Sequence, residues 1–170
     1  MLLTLSLVAC GGGGGGGGGV TPPPISTAAN VQLQPVTIGA GQSIVDLTVS
    51  LATRTEPGPA LLQGTLVLPP ELRLPTSDRL APATAMVTLD GDFTNASITN
   101  NEFKVICGDA TNPQAQDLPL GALFHVRLMP MAPRQPGTYT VTFNDLRAAS
   151  SDGSNVPLAL TSLTATVTIQ

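Results

Sequence analysis

The sequence predicts an all-β domain built as a two-sheet β-sandwich of about nine strands. Near its end, residues 121–129, 137–144 and 161–169 alternate apolar and polar side chains. This alternation is typical of half-buried strands, because successive side chains point to opposite faces of a sheet. The chain contains sixteen prolines and many short apolar runs, and no stretch shows convincing helical periodicity over ten residues. Strands with one apolar face need a second layer to cover them, so we expect two packed sheets.

Composition limits the class of function. The 170 residues, less a leader and a linker, leave about 140 for one domain, which is enough for a substantial core. Charged residues make up only 11% of the chain, the net charge is −4, and the basic residues are scattered. This argues against a nucleic-acid partner, which would need a clustered basic surface. The chain has no tryptophan and only four phenylalanines and one tyrosine, so we expect an aliphatic core.

The first ten residues are apolar and end in Leu-Val-Ala followed by Cys10. This ending resembles the lipobox of bacterial lipoproteins, in which the cysteine is acylated and becomes the new N-terminus. The resemblance implies a lipid anchor at Cys10 and a place in the bacterial cell envelope, outside the cytoplasm; the alternative is an apolar segment with an unpaired cysteine. Because the apolar region is short and no Lys or Arg precedes it, we expect the true start to lie upstream. A transmembrane helix would need about 20 apolar residues, so we expect this ten-residue segment not to span a membrane.

A linker is predicted between this segment and the domain. Residues 11–19 are all glycine, and residues 20–30 are rich in proline and small polar side chains. Such a segment behaves as a flexible coil with a stiffer distal end, and about twenty residues of it reach roughly 25 Å. A glycine-rich phosphate loop would need a strand before it, a helix after it and a Lys-Ser/Thr pair, and the sequence offers none of these. We therefore interpret residues 11–30 as a tether.

The first part of the predicted domain, which starts at residue 31, supplies the remaining strands. Pro35 interrupts the first of them and indicates an edge position or a bend. Turn residues such as those at Gly39, Pro57 and Asp90 separate the others. The predicted strands of this part are residues 31–38, 43–52, 60–68, 83–89, 97–99 and 102–107.

The order of these features resembles a known family. A Gly-Gln turn leads into the Val-Asp-Leu-Thr-Val-Ser-Leu strand that starts at Val45, and the Gly-Thr-Leu-Val-Leu strand from Gly64 enters a Pro-Pro-Glu-Leu-Arg-Leu corner. Two strands follow, Gly-Ala-Leu-Phe-His-Val-Arg-Leu from Gly121 and Pro-Gly-Thr-Tyr-Thr-Val-Thr-Phe from Pro136. The chain then has a Ser-Asp-Gly-Ser turn from Ser151 and a final Thr-Val-Thr-Ile. Over residues 31–170 the chain resembles a cohesin domain, the jelly-roll module of cellulosome scaffolds, which is related in fold to carbohydrate-binding modules.

The resemblance implies a partner and a binding strand. In cohesins, the strand that enters the Pro-containing corner carries polar residues that contact the dockerin partner. The matching outward positions are Gln63, Thr65 and Val67, so the resemblance implies a non-catalytic module that binds a dockerin-like or other secreted protein through them. The alternative is a carbohydrate-binding module for a polysaccharide. Such modules stack sugars on exposed aromatic rings, and the chain has no tryptophan, so the sequence favours a protein partner.

Catalytic and metal-binding patterns are sparse. His125 is the only histidine, which excludes a multi-histidine metal site and leaves an ordinary surface histidine as the default. Without a nucleophile elbow or a predicted cleft we expect no enzymatic activity and no cofactor. Asp90, Asp92 and Asn95 are a weak calcium candidate in a predicted turn, whose alternative is ordinary turn chemistry. We expect Cys107 to act as a small buried apolar side chain.

Alternation also predicts which side chains are buried. His125 and Thr140 should face solvent, and Leu123 should share the outer face with His125 and Arg127. The side chains predicted to be buried are Val49, Phe124, Val126, Tyr139, Val141, Phe143 and Val167.

Overall fold

A computed structural model describes residues 26–83, 93–99, 101–108 and 116–170 of the chain, with residues 93–99 described by their backbone. Cys10, the glycine run, Asp90 and Asp92 lie outside the described residues. The described part contains twelve strands and no α-helix. The strands are β1 Asn30–Leu33, β2 Val36–Ile38, β3 Val45–Thr53, β4 Leu61–Val67, β5 Leu72–Arg73, β6 Leu80–Pro82, β7 Phe93–Thr99, β8 Glu102–Gly108, β9 Gly121–Pro130, β10 Gly137–Ala149, β11 Asn155–Val156 and β12 Leu163–Ile169.

The strands form two sheets that pack face to face. The first sheet has five strands in the order β1-β3-β9-β5, with β6 also paired to β9. The second has seven strands in the order β2-β12-β10-β4-β8-β7, with β11 also paired to β10. This confirms the predicted two-sheet sandwich with jelly-roll topology. The strand number exceeds the predicted nine because β2, β5, β6 and β11 have only two or three residues each.

Pro35 lies where the chain passes from one sheet to the other. Before it, β1 pairs antiparallel with β3 in the five-stranded sheet. After it, β2 pairs parallel with β12 in the seven-stranded sheet, with Ile38 opposite Ile169. Proline cannot donate a ladder hydrogen bond, so it is tolerated at such a bend between two edge strands. The predicted bend at Pro35 is confirmed.

The core lies between the sheets and is mainly aliphatic, as the composition predicts. Its apolar side chains come from the inner positions of β3, β4, β8, β9, β10 and β12, where alternate residues are buried. Of the seven side chains predicted to be buried, all but Tyr139 are at most 1% exposed. Tyr139 is half-buried instead, because its hydroxyl donates a hydrogen bond to the Gln135 carbonyl at the surface, at 3.1 Å.

The prediction that Leu123 lies on the outer face is wrong. Ser50 pairs with Ala122 and Val49 pairs with Phe124, so Leu123 is the extra residue of a β-bulge. A bulge breaks the period of two, so the neighbours Leu123 and Phe124 are both fully buried. Beyond the bulge the predicted phase holds, since Val126 and Leu128 are buried while His125 is half-exposed.

Among the described residues, no helix is long and apolar enough to cross a membrane.

Candidate functional site

The outer face of the seven-stranded sheet carries the residues that the sequence singles out. In β4, Leu62, Gly64 and Leu66 are buried, and the residues between them are half-exposed. Gln63, Thr65 and Val67 therefore point away from the core, as predicted. Because β4 lies between β10 and β8, these three side chains form the centre of the face rather than an edge.

Strand pairing places a defined neighbour on each side of every one of these residues. Val67 lies between Thr142 of β10 and Glu102 of β8. Thr65 lies between Asn144 and Lys104 in the same way.

Gln63 completes the pattern, since it lies between Arg147 and Ile106. Directly opposed residues of neighbouring strands have Cβ atoms about 4.5–5.5 Å apart, so each row acts as one surface. The three rows together run from an end that carries Glu102, beside Val67, to a basic end at Arg147.

A bulge in β10 shapes the basic end. Asn144 pairs with Thr65 and Arg147 pairs with Gln63, so two residues of β10 stand opposite the single residue Gly64. Asp145 adopts a positive φ of 52°, which aspartate tolerates better than most side chains. As a result Asp145 and Arg147 are both exposed while Leu146 between them is buried.

The bulge leaves a concavity of about 460 Å³ on this face. Its polar lining combines one acid with two cations and two neutral hydrogen-bonding groups. A second concavity, of about 370 Å³, lies on the other side of the bulge, towards β11, and shares Asp145 and Arg147. The first concavity is lined by Gln63, Gly64, Thr65, Lys104, Asp145 and Arg147.

Three of these lining residues do not follow from the sequence. Lys104 and Arg147 are outward positions of β8 and β10, but their sequence neighbours do not show that β4 brings them together. Asp145 follows Asn144, and an Asn-Asp pair within an alternating strand is the one signal that marks a break at this position. The bulge itself depends on pairing with β4.

Beyond the concavity the same face becomes an uncharged threonine array. Three threonines of β10 directly oppose three threonines of β12, and the hydroxyls of Thr138 and Thr168 are 3.5 Å apart. Thr37 of β2 is paired with Thr168 and extends this row to the edge of the sheet. The opposed pairs are Thr138 with Thr168, Thr140 with Thr166, and Thr142 with Thr164.

His125 lies on the other sheet and takes no part in this face. Its Nδ1 atom and the Thr48 hydroxyl are hydrogen-bonded at 3.0 Å across the β3–β9 pair. Arg127, two residues further along, has its Nε 3.7 Å from Asp46. The outer face of the five-stranded sheet is therefore a network of surface polar contacts.

Cys107 is fully buried at the inner face of β8, opposite Leu62. Burial raises the pKa of its thiol to about 12. At neutral pH the side chain is therefore the protonated thiol, which is the unreactive form. Cys107 is thus the small buried apolar side chain that the sequence predicts.

The calcium candidate stays a prediction. Asn95 lies in β7, where its backbone is opposite Val105, and its two predicted companions, Asp90 and Asp92, fall outside the described residues. Within the described ranges, no group of three or more His, Cys, Asp or Glu side chains could hold a metal ion.

Solved structures resemble this fold, whereas the comparisons of sequence find no match. No protein-family model matches the chain, and no curated protein matches it. The sixth cohesin of scaffoldin B from Acetivibrio cellulolyticus, solved in complex with a mutant dockerin, superposes with a TM-score of 0.68 at 14% identity, over 84% of this chain and 99% of that one. A type I cohesin–dockerin complex from Clostridium thermocellum gives the same TM-score, identity and coverage.

A cohesin from outside the cellulosome also has this architecture. The non-cellulosomal cohesin of the hyperthermophilic archaeon Archaeoglobus fulgidus superposes with a TM-score of 0.58 at 15% identity, over 84% of this chain and 90% of that one. Because these structures are covered almost completely, the similarity extends over whole modules. The described chain therefore has the cohesin fold.

Proposed function

We propose that the chain is a non-catalytic, cohesin-like protein-interaction module that binds a dockerin-like or other secreted protein through the outer face of the seven-stranded sheet. One observation carries the proposal. Gln63, Thr65 and Val67 lie half-exposed at the centre of that face, beside a concavity of about 460 Å³. An uncharged, mildly apolar centre with a polar rim is the usual anatomy of a non-obligate interface. The structural neighbours from A. cellulolyticus and C. thermocellum are themselves in complexes with dockerins.

A double substitution on β4 tests the proposal. Thr65→Arg with Val67→Asp places two charges at the centre of the face without touching the buried side chains of β4. We expect it to abolish capture of the partner that the full-length wild-type chain pulls down from the secretome of its source. The thermal unfolding transition should stay within a few degrees, because both positions are half-exposed.

The matched control carries the same two charges on the other sheet. Ile44, which directly precedes β3, and Ala52, near the end of β3, are both exposed, so Ile44→Asp with Ala52→Arg should leave capture unchanged. Capture that survives the β4 substitution would move the binding site elsewhere. Retention of the wild-type chain on insoluble polysaccharide, with no protein captured, would favour the carbohydrate-binding alternative.

We also propose that the module is attached to the bacterial cell envelope by a lipid on Cys10, with the predicted linker as the tether. The last residues of that linker already belong to the domain, because Ala29 is fully buried and Asn30 begins β1. Support comes from the small residues before Cys10 and from the glycine run that follows it. Cys10→Ser should move the protein from the membrane fraction to the soluble fraction and abolish incorporation of a labelled fatty acid. Because Cys107 is fully buried, Cys107→Ala is the control and should change neither result. Membrane association of the Cys10→Ser protein would contradict the lipid anchor.

A further inference from the structure

The basic residues of the chain divide into those engaged within the structure and those that are not. The chain has seven Lys and Arg residues. Among the described residues, Arg73, Lys104 and Arg147 have no ion pair and no side-chain hydrogen bond. The four that are engaged are Arg54 with Asp117 at 3.8 Å, Arg79 with the Pro75 carbonyl at 3.1 Å, Arg127 with Asp46 at 3.7 Å, and Arg134 with the Ile38 carbonyl at 2.8 Å.

Two of the three unengaged cations line the same concavity. Lys104 is opposite Thr65 on one side of β4, and Arg147 is opposite Gln63 on the other side. From a strand spacing of about 4.8 Å and a rise of about 3.4 Å per residue, their Cα atoms are roughly 12 Å apart across β4. Both side chains are exposed and long, so they can approach one group held over β4 from its two sides.

The groups between the two cations complete an anion-binding arrangement. The Gln63 amide and the Thr65 hydroxyl are half-exposed hydrogen-bond donors on β4. Asp145 is the one acid in the lining, so the concavity carries two positive charges and one negative charge. Glu102 lies two residues from Lys104 on β8 but is opposite Val67 and does not line the concavity. The excess of positive charge stands out in a chain whose net charge is −4.

We propose that this concavity binds an acidic side chain of the protein partner, an aspartate or glutamate carboxylate held between Lys104 and Arg147. This inference rests on the proposed function, and it names the chemistry of the partner. Charge-assisted hydrogen bonds from two cations are stronger than neutral ones, and the arginine fork matches a carboxylate bidentately. The uncharged side chains of Thr65 and Val67 on β4 then form the centre of the interface, and the carboxylate fixes its register.

The test uses the full-length chain labelled with ¹⁵N and three small probes followed by amide chemical shifts. The probes are a capped triaspartate peptide, its triasparagine counterpart and trigalacturonate. Triaspartate should shift the amides of Gln63, Thr65, Lys104 and Arg147. The shifts should disappear in about 1 M NaCl, where the screening length falls to roughly 3 Å. Triasparagine should leave these amides unmoved.

Three variants test which charges are needed for binding. Lys104→Gln with Arg147→Gln should abolish the triaspartate shifts. Because both side chains are exposed, the double substitution should leave the fold intact. Arg73→Gln, at the other unengaged cation, is the control and should keep them. Asp145→Asn should strengthen triaspartate binding a few-fold, because it removes the opposing charge and asparagine tolerates the positive φ at this position.

Several results would overturn the inference. Equal shifts with triasparagine and triaspartate would do so, as would shifts with trigalacturonate but not with triaspartate. So would triaspartate that shifts none of these amides, or triaspartate shifts that persist in the Lys104→Gln, Arg147→Gln protein. The outcome is separable from that of the proposed function. Partner capture unaffected by removing the two cations, but abolished by Thr65→Arg with Val67→Asp, would refute the acidic contact and keep the interface. Triaspartate binding at these amides, with no protein captured, would refute the protein interface and keep the carboxylate-binding concavity.

Discussion

Replacing Phe143 with alanine is expected to lower the free energy of unfolding by about 3–5 kcal/mol. The phenyl ring is 1% exposed and lies in the middle of β10, opposite Leu163 of β12 and Leu66 of β4. The chain has four phenylalanines and no tryptophan, so few other side chains can fill the space left between the sheets. The cost therefore combines lost burial with a cavity that the surrounding strands close only in part.

The measurement is urea unfolding followed by far-ultraviolet circular dichroism, because the chain has no tryptophan for fluorescence. Thr140→Ala is the matched control on the same strand. Thr140 is exposed, so this change should stay within about 0.5 kcal/mol. A loss of less than about 1 kcal/mol for Phe143→Ala would mean that the ring does not fill the core.

Gly64→Ala is expected to cost about 1–3 kcal/mol, although it adds a single methyl group. A Cβ atom at Gly64 would lie 2.7 Å from Cε2 of Phe143 and 3.0 Å from the Asn144 carbonyl oxygen. The ring is held by packing and the carbonyl belongs to the backbone, so neither can move cheaply. The absence of a side chain at Gly64 thus lets Phe143 and Leu146 pack beneath β4 on both sides of the β10 bulge.

A double-mutant cycle tests the physical reason for this cost. In the Phe143→Ala background the closest contact is gone, so Gly64→Ala should cost less there than in the wild type, with a coupling of about 0.5–3 kcal/mol. Gly39→Ala is the control: its Cβ would meet only the end of the Gln42 side chain, at 3.3 Å, and we expect a change within about 0.5 kcal/mol. Equal costs in the two backgrounds would show that the ring is not the obstacle.

The faces of the long strands follow from the sequence because alternation is a local property. In β12 and along most of β10, each apolar residue faces the core and each threonine faces outward, as the period of two requires. The outward direction of Gln63, Thr65 and Val67 follows from the same rule. Pro35 likewise indicates its bend, because the loss of a backbone donor is a property of that one residue.

The two bulges show where this local rule ends. One extra residue shifts the phase, which buries Leu123 beside Phe124 and places Asp145 and Arg147 together on the outside. Whether a strand bulges depends on its partner strand: on β3 for Leu123 and on β4 for Asp145. A pattern read along one strand does not contain that information.

The sequence alone determines the all-β class, most of the inward and outward positions, the bend at Pro35 and the outward row of β4. Only the tertiary structure decides the order of the strands, the parallel pairing of β2 with β12 and the concavity that joins Lys104 to Arg147. The physical reason is the range of the interactions. Side-chain alternation is set by the covalent geometry of neighbouring residues, whereas strand pairing is set by hydrogen bonds and packing between segments that are far apart along the chain.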